Sequence, residues 1–240
     1  NDPGYLSNLA LLPPSQKKAL LYGEWNLLEG SYFPEFRREK HVIEPFDIPR
    51  GWNIMRSYDF GYNKPFSLGY WAIDYDGILY RLMDVYGCTQ TPDEGVKWTP
   101  DEQFKHFAEV ERTHPWLKGR KIVDSVADPA IWDSSRGESI AETAYRYGIY
   151  FSPGDNERIA GWMQCHYRLA FDENGFPMFY VFKNCKNFIR TIPLLQYDEH
   201  KVEDLDTDGE DHIADETRYL CMARPIKARS VSKPDLYAQS

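Results

Sequence analysis

The sequence predicts an α/β protein. Its centre is a mixed sheet, three antiparallel strands first and then strands alternating with helices, with helices on both faces. Three observations carry this expectation. Short β-rich runs between residues 53 and 86 are joined by tight turns. The apolar period then changes from two to that of a helix at Thr99. Strand and helix patterns alternate from there to residue 223.

The length of 240 residues suits one large domain, or one domain with extra pieces. That is enough chain to bury a core without disulfide or metal staples. Hydrophobic residues at 42% and charged residues at 27% exclude a disordered, collagen-like or coiled-coil chain. No run reaches the ~18 apolar residues of a membrane span, so an integral membrane protein is not expected. Asn1-Asp2-Pro3-Gly4 lacks a basic-then-apolar signal pattern. Cys88, Cys165, Cys185 and Cys221 are scattered without Cys-x-x-Cys spacing, as expected of reduced thiols. The net charge of −9 argues against a broad electrostatic grip on nucleic acid. It is equally what a carboxylate cluster awaiting a divalent metal would produce.

Residues 1–28 read as a helical piece, with a helix from Gln16 to about Tyr22. Residues 29–50, rich in aromatics and prolines, read as an extended connector packed on something. Asn53 to Phe60 is the first expected strand, and Tyr62-Asn63-Lys64-Pro65 a turn. Phe66 to Asp74 is the second strand, Asp76-Gly77 a hairpin turn, and Ile78 to Tyr86 the third strand. Thr99-Pro100-Asp101-Glu102 opens a helix, with threonine as cap, proline at the first position and acids in the first turn. Lys121 to Asp128 is a fourth strand, broken by Pro129. Ser139 to Tyr147 is a helix stopped by Gly148, and Ile149 to Phe151 a short fifth strand. Asp155 to Leu169 is a helix; a hairpin follows, with Asp172 to Gly175 as its turn and Met178 to Phe182 as its return. Asp211 to Ala223 is the last helix. This order describes a ribonuclease-H-like sheet, in which the first strand is central and the fourth runs parallel beside it.

Acids fall at telling positions. Asp59 lies inside an apolar strand, where propensity and burial both disfavour it, although it could simply cap the turn at Gly61. Asp124 and Asp128 share one face of the fourth strand, Asp128 at its carboxyl end. Asp211 and Asp215 share one face of the last helix, which also carries His212. Asp211 reads as a cap acid, whereas Asp215 lies one turn further in. In the expected fold Asp59, Asp128 and Asp215 can converge at one end of the sheet. Three such carboxylates repel one another, and hard divalent cations relieve the repulsion. Two ions about 3.5–4 Å apart clamp a phosphodiester for hydrolysis.

Four stretches extend this reading. They are Asp59-Phe60-Gly61-Tyr62-Asn63-Lys64-Pro65-Phe66-Ser67, Asp128-Pro129-Ala130-Ile131-Trp132, Asn156 to Trp162, and Glu210 to Tyr219 with its His-x-x-Asp-x-x-Arg-Tyr spacing. Together they resemble the nuclease domain of tailed-phage large terminase subunits. The resemblance runs from about Leu12 to Arg224. It implies a metal-dependent endonuclease that cuts concatemeric viral DNA during genome packaging. The implied ligands are Asp59, bridging two Mg²⁺ or Mn²⁺ ions, with Asp128 and Asp215 holding one each. Asp84, Asp124, Asp211 and His212 are auxiliary candidates, and Lys64 and Arg158 candidate phosphate contacts.

Residues 1–50 would be the trailing edge of an ATPase domain and its linker, 51–228 the nuclease domain and 229–240 a tail. No Gly-x-x-x-x-Gly-Lys-Ser/Thr phosphate loop occurs, so no ATPase site is expected in this chain. The implied partners are double-stranded DNA, portal protein, the small terminase subunit and the ATPase domain of the same large subunit. The implied setting is the host cell cytoplasm, without a membrane. The alternatives are a non-catalytic docking module of the packaging motor, or a resolvase- or transposase-type nuclease of the same fold.

Overall fold

A computed structural model describes residues 30–226 apart from 136 and 202. The helical piece expected over 1–28 and the tail expected over 229–240 lie outside the described residues.

The seven described strands form one mixed sheet. They are β1 (Val42–Ile43), β2 (Asn53–Asp59), β3 (Ser67–Ile73), β4 (Leu79–Tyr86), β5 (Ile122–Ala127), β6 (Ser152–Pro153) and β7 (Phe179–Phe182). Their order is β1-β7-β4-β3-β2-β5-β6. β2, β3 and β4 form the expected antiparallel meander, which places Asp59 opposite Ser67 and Ser67 opposite Tyr86. β5 runs parallel beside β2, also as expected. Six residues of β2 are buried, because this interior strand is covered on both faces.

The described helices are α1 (Arg38–His41), α2 (Pro100–Thr113), α3 (Ile140–Arg146), α4 (Arg158–Leu169), α5 (Lys186–Thr191) and α6 (His212–Ala223). Capping boxes start two of them, Thr99 with Glu102 on α2 and Ser139 with Glu142 on α3. Strand alternation assigns the faces. Tyr58 points to α2, donating to Gln103 Oε1 at 2.7 Å and packing on Phe104 and Phe107. Ser57 and Asp59 point to the opposite face, where α6 lies. α4 packs behind α6, and Gly161 makes this approach possible: a Cβ there would collide with the Arg218 side chain.

Two expectations are corrected. The fifth strand forms at Ser152–Pro153 rather than at 149–151, where the Tyr58 ring stacks on Phe151. The chain after Gly175 does not return as a hairpin strand. One antiparallel bridge closes, Phe171 to Pro177, and residues 179–182 then enter the sheet as β7, parallel to both β4 and β1. Tyr180 stacks on Tyr80 and Phe179 packs on Trp71, so contacts distant in sequence decide where this segment goes. β1, α1 and α5 are too short to show a period in the sequence. All four cysteines are free thiols. No helix among the described residues is long and apolar enough to cross a membrane.

Candidate functional site

Parallel pairing brings the carboxyl ends of β2 and β5 side by side. The Asp128 amide donates to the Tyr58 carbonyl at 3.1 Å, so Asp128 begins where β5 ends, beside Asp59. Pro129 then turns the chain into a short 3₁₀ segment that Asp128 caps, accepting from the Ala130 amide at 2.9 Å. The amino end of α6 reaches the same place. The Tyr219 hydroxyl is pushed upward by burial first, and then by Asp128, Asp215 and Asp59. One side chain thus senses all three acids.

Asp59 is buried. Burial is the main cause that raises its carboxyl to about 7, with Asp215 and Asp128 adding and His212 opposing. Asp211 makes no capping bond. It is buried instead, and burial followed by Asp215 lifts it to about 7. His212 is raised to about 9: burial opposes its charge, but Asp59, Asp211 and Asp93 outweigh that. Its Nδ1 lies 3.4 Å from Asp59 and its Nε2 lies 3.1 Å from Asp93. Carboxylates only accept, so both ring nitrogens donate and the ring is an imidazolium.

Asp215 is held by two arginines. Arg218 Nε lies 3.0 Å away and Arg158 Nη1 lies 3.3 Å away. Arg158 also bridges to Asp204, at 3.1 Å to both oxygens, and lies over the Trp162 ring. Arg158 is therefore part of the wall behind Asp215 rather than a free arm. Lys64 is exposed and pairs with Asp93. Asp124 is not brought in: it pairs with Arg224, at the opposite end of α6. Asp84 lies across from Gly69, two residues short of the position that aligns with Asp59, and faces Arg81 and Cys185.

Sequence reasoning missed Asp93, Asp204 and Glu216. Asp93 and Asp204 lie in loops without a periodic signal. Glu216 is fully buried on α6 and reads from sequence as one more acid beside Asp215. It accepts from Ser57 and Ser67 of β2 and β3 and from Trp71, and pairs with Arg81 at 2.8 Å. This fixes α6 to the strands directly beside Asp59.

The donors are all hard oxygens, and crowding raises two of them, a strain that a divalent cation relieves. In the present arrangement, however, no group of three or more His, Cys, Asp or Glu side chains among the described residues is placed to hold a metal ion. The neutralising charges are the chain's own His212, Arg158 and Arg218.

No family model matches the chain, and no curated protein matches it in sequence. Solved structures do match. A full large terminase from a thermophilic bacteriophage aligns at TM-score 0.61 and 19% identity, over 91% of this chain and 50% of that one. The P22 large terminase nuclease domain aligns at 0.62 and 17%, over 82% and 93%. The large terminase nuclease of the thermophilic phage G20c, solved with bound cobalt, aligns at 0.55 and 12%, over 81% and 98%. The chain has the ribonuclease-H-like fold of these nuclease domains and spans about half the length of the full large terminase.

Proposed function

We propose that this chain is a metal-dependent endodeoxyribonuclease that cuts concatemeric viral DNA during genome packaging. The supporting observation is that Asp59, Asp128 and Asp215, far apart in sequence, act on one another at the ends of two adjacent parallel strands. Clefts outside the carboxyl ends of strands are the usual binding places in such sheets. The G20c neighbour with cobalt adds support for a divalent ion. Asp59, Asp128 and Asp215 would hold two Mg²⁺ or Mn²⁺ ions, Asp59 shared between them. When bound, such ions activate water and stabilise the leaving oxygen.

The chain's own residues do the rest. Arg158 and Arg218 orient Asp215, and His212 neutralises Asp59 and Asp211 until metal arrives. Glu216 keeps α6 in register. Asp124, paired with Arg224, and Asp84, beside Arg81, have supporting rather than ligand roles. A domain of net charge −9 grips duplex DNA weakly, so the ATPase domain of the same large subunit, portal protein and the small subunit would present DNA to it, in the host cytoplasm.

The test is nicking of supercoiled plasmid in Mg²⁺ or Mn²⁺. Asp59→Asn is expected to lower the rate on the order of a hundredfold or more. Equal nicking by parent and variant refutes the assignment. Absence of nicking in both favours a docking module. A preference for four-way junctions over linear duplex favours a resolvase.

A further inference from the structure

Asp93 lies outside the acids that the fold brings together. It sits in the excursion between β4 and α2, with a left-handed backbone at φ 62°. Such a conformation costs a non-glycine residue energy and persists only where surrounding structure enforces it. Here the enforcement is visible. The Gly95 amide donates to the Asn63 carbonyl at 2.8 Å, and the Val96 amide to the Gly87 carbonyl at 3.0 Å. Neither Gly61 nor Gly95 has room for a side chain, because the carbonyls of residues 62, 64 and 65 crowd them. The Asp93 amide donates to Glu210, itself clamped by Arg190. The carboxylate is therefore aimed by its loop. One oxygen faces Lys64 Nζ and the other faces His212 Nε2, at 3.1 Å.

Lys64 comes from the turn after β2 and His212 from the start of α6, so two cationic groups of independent origin converge on one oxyanion. They do so within one residue's reach of Asp59, since His212 Nδ1 contacts Asp59 at 3.4 Å. Two donors sharing the two oxygens of a carboxylate is also how a phosphodiester is held. We infer that Lys64 and His212 form a phosphate subsite beside Asp59, and that the Asp93 carboxylate occupies it as an internal stand-in for a backbone phosphate of duplex DNA. The inference rests on the nuclease reading above and adds an autoinhibitory contact to it. An incoming strand takes both donors from Asp93, and a chain without bound DNA keeps them neutralised.

The experiment measures binding of a fluorescein-labelled DNA duplex by anisotropy, in chelator, across a salt series. Asp93→Asn and Asp93→Gly both tolerate the left-handed backbone. Each is expected to tighten duplex binding about fivefold, the equivalent of one ion pair. The salt slope should steepen by about one to two phosphates. Adding Lys64→Ala to either variant should abolish the gain, whereas Lys64→Ala alone should leave parent affinity within about twofold because Asp93 already engages Lys64. Asp76→Asn, the same charge change on the distant β3–β4 hairpin, should give no gain. No tightening in either Asp93 variant overturns the inference. So does a gain that survives Lys64→Ala or is matched by Asp76→Asn. A gain in competition by inorganic phosphate, with duplex affinity unchanged, overturns the assignment to DNA. Plasmid nicking is scored separately. Nicking without tightening sinks the subsite and leaves the nuclease reading; tightening without nicking does the reverse.

Discussion

Replacing Glu216 with alanine removes the acceptor that ties α6 to β2 and β3. The side chain is fully buried. Its loss leaves the equally buried Arg81 guanidinium without its counter-charge 2.8 Å away. It also strands the hydroxyls of Ser57 and Ser67 and the indole N–H of Trp71. Arg81 keeps only Thr217 Oγ1 at 3.3 Å and the faces of Trp71 and Phe188. Removing one partner of a buried ion pair costs roughly 3–5 kcal/mol, and the stranded neutral donors add about 1 kcal/mol. The expected loss of ~4–6 kcal/mol is a large part of the ~5–15 kcal/mol that a domain typically has. At ~2–4 °C per kcal/mol for this size, Tm falls by roughly 8–24 °C. Urea denaturation of Glu216→Ala, Arg81→Met and the pair Arg81→Met/Glu216→Leu forms the assay. The double variant should lie within ~2 kcal/mol of the parent, because it abandons no buried charge. A single-variant cost below ~1 kcal/mol, or a double variant costing the sum of the singles, refutes the reasoning.

Other outcomes follow from the same structure. Gly69→Ala should destabilise measurably in the same assay, because a Cβ there meets Glu216 Oε1, Trp71 Nε1 and Arg81 Nη1. Asp124→Asn should leave plasmid nicking within about twofold of the parent and cost ~0–1 kcal/mol, since its pair with Arg224 is half-exposed; a hundredfold loss of nicking would return Asp124 to the site. His41 is buried, with Nε2 donating to the Leu169 carbonyl at 2.9 Å, and burial lowers its pKa below the ordinary 6.5. Its neutral form belongs to the fold, so its contribution is complete above pH 6.5 and is lost as pH falls toward the lowered value. Tm measured from pH ~7.5 to ~5.5 should fall less in His41→Gln than in the parent.

The meander was legible because each of its turns is encoded locally. Asp76-Gly77 closes β3 to β4, with Gly77 at φ 81°, and period-two runs flank it. α2 was legible from Thr99, Pro100 and Glu102, whose capping box forms as written. β7 was misread because four residues carry no register of their own, and the rings of Tyr80 and Trp71 supply it from a distance. The acids divide in the same way. Asp59, Asp128 and Asp215 stood out because strand ends and a helix turn gave them positions, whereas Asp124 shared a face with Asp128 and the face alone could not show where α6 would end.

The sequence by itself determined the element order, the parallel neighbour of the first strand and three acids able to meet. These follow from turn chemistry, periodicity and connection length, which are local. Only the tertiary structure decided which charges answer those acids. His212, Arg158 and Arg218 neutralise them, Asp93 engages Lys64 and His212, and Glu216 holds the helix that carries Asp215. Those pairings depend on distances between segments far apart in the chain, and electrostatic energy in a buried site is set by such distances rather than by neighbours in sequence.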